Sequence, residues 1–186
     1  RACMVLTGAT TALAAAWALV RLPDATVRFL IVRLTRLLYR VDVRGLENQP
    51  RAGGALVASN HTAYADAVVL QSVTQRPIRF LLSREIFAGW SWCRPVFRLM
   101  NAIPIHMHDG PRKLLESLAA ARSSLERGEL VGIFPEGELT RTGMLQAFHK
   151  GFETIVRKSD CPIVPVHIDN LWGSIFSFRY GEPGLR

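Results

Sequence analysis

Two short stretches hold residue types that can do chemistry together. In Asn60-His61-Thr62-Ala63-Tyr64-Ala65-Asp66 a histidine precedes a carboxylate by five residues. In Phe134-Pro135-Glu136-Gly137-Glu138-Leu139-Thr140 an apolar run ends on a proline, an acid and a glycine. Spacing alone is a weak signal: with five histidines and 15 acids in 186 residues, chance supplies about 0.4 such pairs. Position strengthens it. His61 lies just past an apolar run that reads as a buried strand, where α/β sheets present ligands and reacting groups. Along one continuous helix, five residues turn through about 500° and the two side chains diverge. A loop carrying His61 into a helix carrying Asp66 removes that obstacle. Asp66 then holds one ring nitrogen and leaves the other free as a base. In the second stretch Gly137 permits a positive φ and a close backbone approach, Pro135 stiffens the entry, and Glu136 stands at a strand end where it can accept a substrate hydroxyl. Backbone N–H groups near Gly137 are candidate oxyanion donors.

Elements that position these residues follow from periodicity. From Val41 onward strand and helix patterns alternate. Strands are predicted at Gly54–Ser59, Ile78–Leu82, Ile103–Ile105, Leu130–Phe134 and Ile163–Ile168, the last an edge or terminus because Pro165 interrupts it. Helices are predicted over Ala63–Gln75, from Pro111 to the stop at Gly128, and near Lys150–Ser159. The helix after Pro111 carries Leu114, Leu115, Leu118, Ala121 and Leu125 as its apolar face. Such alternation predicts an α/β fold, a mixed central sheet flanked by helices.

Ahead of it, residues Ala2–Val20 carry no charge, and as a helix would run about 28 Å, close to a bilayer core. Arg21-Leu22-Pro23-Asp24 breaks the run, with Asp24 as the expected N-cap. Beyond it Val27, Leu30, Ile31, Leu34, Leu37, Leu38 and Val41 fall on one helical arc, and Arg28, Arg33, Arg36 and Arg40 fall opposite. A basic amphipathic helix beside an apolar segment reads as membrane-associated. The expected division is therefore residues 1–40 for membrane association and 41–186 for the catalytic domain. The chain reads as a piece of a longer protein.

Composition narrows the partners. A net charge of +8 and a pI near 10.2 favour an anionic partner, and 49% apolar residues favour a lipid surface over nucleic acid, for which no motif is present. Cys3, Cys93 and Cys161 form neither a disulfide framework nor a zinc pattern, which suits a reducing compartment. His106, His108 and Asp109 form a short polar run without a distant partner, so no metal site is predicted.

The His-x-x-x-x-Asp and Phe-Pro-Glu-Gly blocks, in this order, resemble the glycerolipid (lysophospholipid) acyltransferase superfamily. Asn101-Ala102-Ile103-Pro104-Ile105 and Pro162-Ile163-Val164-Pro165-Val166 stand where that superfamily has its second and fourth blocks. The likeness spans about Val41 to Phe178. It implies His61 as general base on an acceptor hydroxyl, Asp66 as its orienting partner, and Glu136 and Gly137 as acceptor-binding groups. Asn60, Arg84, Thr140 and Lys150 complete the substrate-binding set. It further implies direct acyl transfer from an acyl-carrier-protein or coenzyme A thioester, with no cofactor, at the cytoplasmic face of the inner membrane. Phosphatidate-forming members carry arginines where this chain has Met107 and Leu139. Their loss points away from a phosphate monoester acceptor and toward lysophosphatidylethanolamine. The segment Phe134–Gly143 looks most like the acyltransferase domain of bifunctional acyl-acyl-carrier-protein synthetase/2-acylglycerophosphoethanolamine acyltransferases. That implies fusion to transporter and synthetase domains. Two readings compete: a 1-acylglycerol-3-phosphate acyltransferase, and a non-catalytic membrane- or lipid-binding module.

Overall fold

The computed structural model describes residues 23–89, 97, 100–105, 110–157, 159–174 and 176–181. The apolar run 2–20, Cys3, Cys93 and the His106–Asp109 run, Met107 included, lie outside the described residues. Five strands are present: β1 (Ala55–Ser59), β2 (Ile78–Ser83), β3 (Ile103–Ile105), β4 (Leu130–Ile133) and β5 (Ile163–Val166). The helices are α1 (Pro23–Leu38), α2 (Asp66–Val73), α3 (Arg84–Gly89), α4 (Pro111–Glu126) and α5 (Gly151–Val156). The sheet runs β3-β2-β4-β1-β5.

All four pairings among the described strands are parallel. The sheet expected to be mixed is therefore purely parallel in its described part. The reason lies in the connections, since α2 (β1 to β2), α4 (β3 to β4) and α5 (β4 to β5) carry the chain back and make neighbours run the same way. Central β4 is buried along its whole length, and β1 nearly so; their unbroken apolar runs match a sheet covered on both faces. On one face Leu56, Leu81, Val131 and Ile133 pack with Leu118, Ala121 and Leu125 of α4 and Ile155 of α5. On the other, Ala55, Val57, Ile78, Phe80, Leu130 and Phe134 pack with Leu70 of α2. Gly132 is required between them, because a Cβ there would stand 2.5 Å from the Phe80 ring. Pro165 falls in β5, which pairs only with β1 at the sheet edge, where a missing N–H costs no ladder bond.

Three local expectations are corrected. Leu115 is exposed: Leu114, Leu118, Ala121 and Leu125 follow the 3.6-residue repeat, and Leu115 lies one step (about 100°) off their line. α2 begins at Asp66 rather than Ala63, because the Asp66 carboxylate accepts the N–H groups of Thr62 and Ala63 and folds them into a turn. α1 already includes Pro23, so Asp24 sits inside the first turn instead of capping it. Proline is well placed there, since the first helical N–H has no acceptor in the helix.

α1 packs on α2 through the side that carries Arg28 and Thr35. Arg28 turns inward to donate to the Thr74 carbonyl, and Thr35 is buried. The leucines of the predicted apolar arc, Leu30, Leu34, Leu37 and Leu38, are exposed beside Arg33, Arg36 and Arg40, while Ile31 and Val41 are half-buried. Among the described residues, no helix is long and apolar enough to cross a membrane.

Candidate active site

His61 and Glu136 are brought together by strand register. β1 and β4 pair with Ala58 opposite Ile133, an offset of 133 − 58 = 75 residues. Two parallel chains that keep this offset beyond their strands set His61 beside Glu136, since 136 − 61 is again 75. The His61 N–H donates to Glu136 Oε1 at 2.7 Å.

Asp66 is fully buried and surrounded by donors. Its Oδ2 accepts from His61 Nδ1 at 2.8 Å, the Thr62 N–H at 2.6 Å and the Ala63 N–H at 3.0 Å. Its Oδ1 accepts from the Thr62 hydroxyl at 3.2 Å. A carboxylate has no proton to give, so Nδ1 must carry the ring hydrogen and Nε2 keeps its lone pair. The imidazole stacks on Phe134, with ring centres 3.9 Å apart and planes 10° off parallel. Phe134 in turn stacks on Phe80 at 5.9 Å. Hydrogen bond and stack together leave the ring one orientation. Near the end of α1, burial pushes the Tyr39 phenol above its ordinary value, and the charge of Asp66 adds to the effect.

The remaining sequence-selected residues take other places. Glu136 is 3% exposed and binds backbone through both oxygens: Oε1 to the His61 N–H, and Oε2 to the Gln146 N–H at 2.9 Å. Asn60 clamps the chain beyond β5, donating to the Ile168 carbonyl at 2.9 Å and accepting its N–H at 2.7 Å. Thr140 is buried. Its N–H donates to the His61 carbonyl at 3.0 Å, and its hydroxyl donates to the Met144 carbonyl at 2.8 Å. Gly137 takes the positive φ expected of it, 74°, but its own N–H is engaged by the Phe134 carbonyl. Among the described residues, the next two N–H groups, of Glu138 and Leu139, have no acceptor. Lys150 is exposed at the start of α5. Arg84 is exposed at the start of α3, beyond β2 and thus two strands from β1, about 10 Å away by strand spacing. Phe134, Thr62 and Gln146 contribute to the site without having been singled out in the sequence. For Phe134 the available signal was an aromatic ending the strand that precedes Glu136.

A base fixed by a buried carboxylate beside a glycine turn gives the chemical outline of hydroxyl activation. A sequence profile of the family described as Acyltransferase matches residues 40–169, well over half the chain and all of this site. The chain belongs to the acyltransferase family. It is 32% identical over 133 residues to the chloroplastic 1-acyl-sn-glycerol-3-phosphate acyltransferase BAT2 of Brassica napus, covering 69% of this chain and 37% of that protein. With the 1-acyl-sn-glycerol-3-phosphate acyltransferase of Bacillus subtilis it shares 29% identity over 127 residues, covering 67% of this chain and 60% of that protein. The chain thus spans between about a third and three fifths of these relatives. Its fold is similar to the crystal structure of the 1-acyl-sn-glycerophosphate acyltransferase PlsC from Thermotoga maritima, with a TM-score of 0.58 and 23% identity, covering 76% of this chain and 55% of that one. In this member of the family, then, the His–Asp pair of the first block and the turn of the third meet by parallel register at one end of the sheet.

Proposed function

We propose that this acyltransferase moves a fatty acyl group from a thioester to the free hydroxyl of a lysophospholipid. The observation that carries the reading is the buried Asp66 carboxylate on His61 Nδ1, which leaves Nε2 as a base. Nε2 takes the proton of the acceptor hydroxyl as its oxygen attacks the thioester carbonyl. A C–O bond forms, the C–S bond breaks, and the imidazolium returns its proton to the departing thiolate. Asp66 stabilises the imidazolium in between. The unpaired N–H groups of Glu138 and Leu139 support a role as oxyanion donors. Glu136 and Asn60 act by holding backbone around the base. Acyl-carrier protein and coenzyme A are both acidic donors that suit the +8 charge.

For the acceptor, relatives named as 1-acyl-sn-glycerol-3-phosphate acyltransferases favour a lysophosphatidate. Arg141, exposed next to the Thr140 that bonds His61 and with its guanidinium over the Phe178 ring at 4.7 Å, is the candidate cation for its phosphate. Lysophosphatidylethanolamine is the second reading, favoured by Leu139 standing where an arginine would grip a phosphate monoester. Fusion to synthetase and transporter domains belongs to that second reading alone. The outward leucines of α1, with Arg33, Arg36 and Arg40 beside them, support residues 1–40 as the membrane-associated part, on an anionic cytoplasmic leaflet.

The test is acyl transfer by wild type and His61→Ala from each thioester, with both lysophospholipids side by side. Turnover that vanishes in the variant supports the base, and the ratio of kcat/KM values assigns the acceptor. Membrane binding with no wild-type turnover would instead make the chain a lipid-binding module.

A further inference from the structure

The loop from Arg141 to Lys150 is built inside out for a surface loop. Several of its backbone and amide groups point inward. The Thr140 hydroxyl donates to the Met144 carbonyl at 2.8 Å and accepts the Gly143 N–H at 3.1 Å. The Gln146 N–H reaches Glu136 Oε2 at 2.9 Å, and its side-chain amide donates to the Glu138 carbonyl at 3.2 Å. The His149 N–H closes on the Pro135 carbonyl at 2.8 Å. Facing out, beside Thr142 and His149, are three large apolar side chains: Met144 is 72% exposed, Leu145 64% and Phe148, edge-on to Phe152, 50%. Three large apolar side chains within five residues make a patch that water does not favour. This is not a slack segment, because Trp172 lies against Gly143, where a Cβ would stand 2.7 Å from the indole. Exposed Arg141 and Lys150 bracket the apolar tip. An apolar tip with a cationic collar matches an anionic bilayer, whose headgroups meet the charges while its acyl region takes the tip.

We propose that this loop is a membrane wedge: Met144, Leu145 and Phe148 enter the acyl region of an anionic phospholipid bilayer, with Arg141 and Lys150 at headgroup level. The same loop binds Glu136 and follows Thr140, which bonds His61. Its insertion therefore presents the base to an acceptor that never leaves the membrane. The purpose of the wedge rests on the acyltransferase reading; its existence does not. An acidic carrier protein would answer the two cations, but the protruding apolar tip between them fits acyl chains better.

The decisive test places an environment-sensitive fluorophore at Leu145→Cys in the full chain, with Cys3, Cys93 and Cys161 replaced by serine. On vesicles of phosphatidylglycerol and phosphatidylcholine, the emission should move to the blue and be quenched by lipids with brominated acyl chains. Vesicle binding without that quenching, as docking through α1 alone would give, overturns the proposal, as does a failure to bind vesicles. A second test compares wild type with M144Q/L145Q/F148Q. Turnover of a vesicle-embedded lysophospholipid should fall about tenfold or more, while turnover of a short-chain acceptor dispersed as monomers stays within about twofold. Equal loss in both presentations overturns the wedge, because the side chains would then serve the chemistry. Loss confined to acyl-carrier-protein thioesters, with coenzyme A thioesters spared, overturns it in favour of carrier docking. A wild type silent in every assay defeats the acyltransferase reading, and the fluorophore still decides the wedge.

Discussion

Replacing Asp66 with asparagine should remove a charge while keeping the surrounding hydrogen bonds. Oδ2 receives three donors, from His61 Nδ1, Thr62 N and Ala63 N, and Oδ1 meets only the Thr62 hydroxyl. An amide with its oxygen in the Oδ2 position keeps all three donors. Its NH2 group then donates to the Thr62 hydroxyl, which can accept as readily as it donates. The two backbone N–H groups select this orientation, so His61 keeps Nδ1 protonated and Nε2 free. What disappears is the attraction between carboxylate and imidazolium as the proton arrives. With delocalised charges about 4 Å apart and an effective dielectric near 20, that attraction is about 4 kcal/mol. Allowing for the dipole the amide retains, about 3–4 kcal/mol of transition-state stabilisation is lost, and kcat falls about 10²- to 10³-fold. Stability should change by no more than about 1 kcal/mol, because every donor stays paired. Asp66→Ala is the contrast: it strands two buried backbone N–H groups at about 1–3 kcal/mol each. Steady-state kinetics and thermal denaturation of the two variants separate charge from scaffold. A kcat for Asp66→Asn within about tenfold of wild type would refute the assignment of charge stabilisation to Asp66.

Glu136→Gln must turn an NH2 toward either the His61 or the Gln146 N–H; it should lose about 1–3 kcal/mol in denaturant titration and lower kcat with the acceptor KM unchanged. A raised KM at normal kcat would mean instead that Glu136 touches the acceptor. Gly132→Ala should cost about 1–3 kcal/mol by pushing its methyl into the Phe80 ring and disturbing the rings stacked beneath His61; an unchanged Tm would show that β2 gives way freely. At the opposite end of the sheet, burial works to raise Glu129, but donors from Arg79, Ser124 and Arg127 outweigh it and hold the carboxyl below its ordinary value of 4.5. A depressed carboxyl stabilises the fold above that value and loses the contribution as pH falls through its lower folded-state value. The Tm advantage of wild type over Glu129→Gln should therefore be constant near neutrality and shrink below about pH 4.5. An advantage that persists in acid would count against the Arg79 and Arg127 contacts at 2.7 Å and 3.2 Å.

Much of the scaffold was legible in the chain itself. The apolar runs of β1, β2, β4 and β5 were bounded to within one or two residues, β3 was placed in full, and Pro165 marked the edge strand. The pairing of His61 with Asp66 was readable because five residues of loop and turn keep it local. Long-range contacts were not legible. Glu136, read as a polar group at a strand end, and Asn60 and Thr140 were expected to meet substrate. Each binds the backbone of a distant segment, a commitment that no window of neighbouring residues displays.

By itself, then, the sequence determined the elements, the acyltransferase blocks and the local His–Asp pair, since propensity, periodicity and short-range hydrogen bonding all act within a few residues. Only the tertiary structure decided that the strands run parallel, that β1 and β4 share a 75-residue offset setting Glu136 against His61, and that α1 turns its leucines outward. Register and facing depend on which apolar surfaces meet across the whole domain, here on a glycine at 132 that lets Phe80 close over β4 and support the stack under the His61 ring.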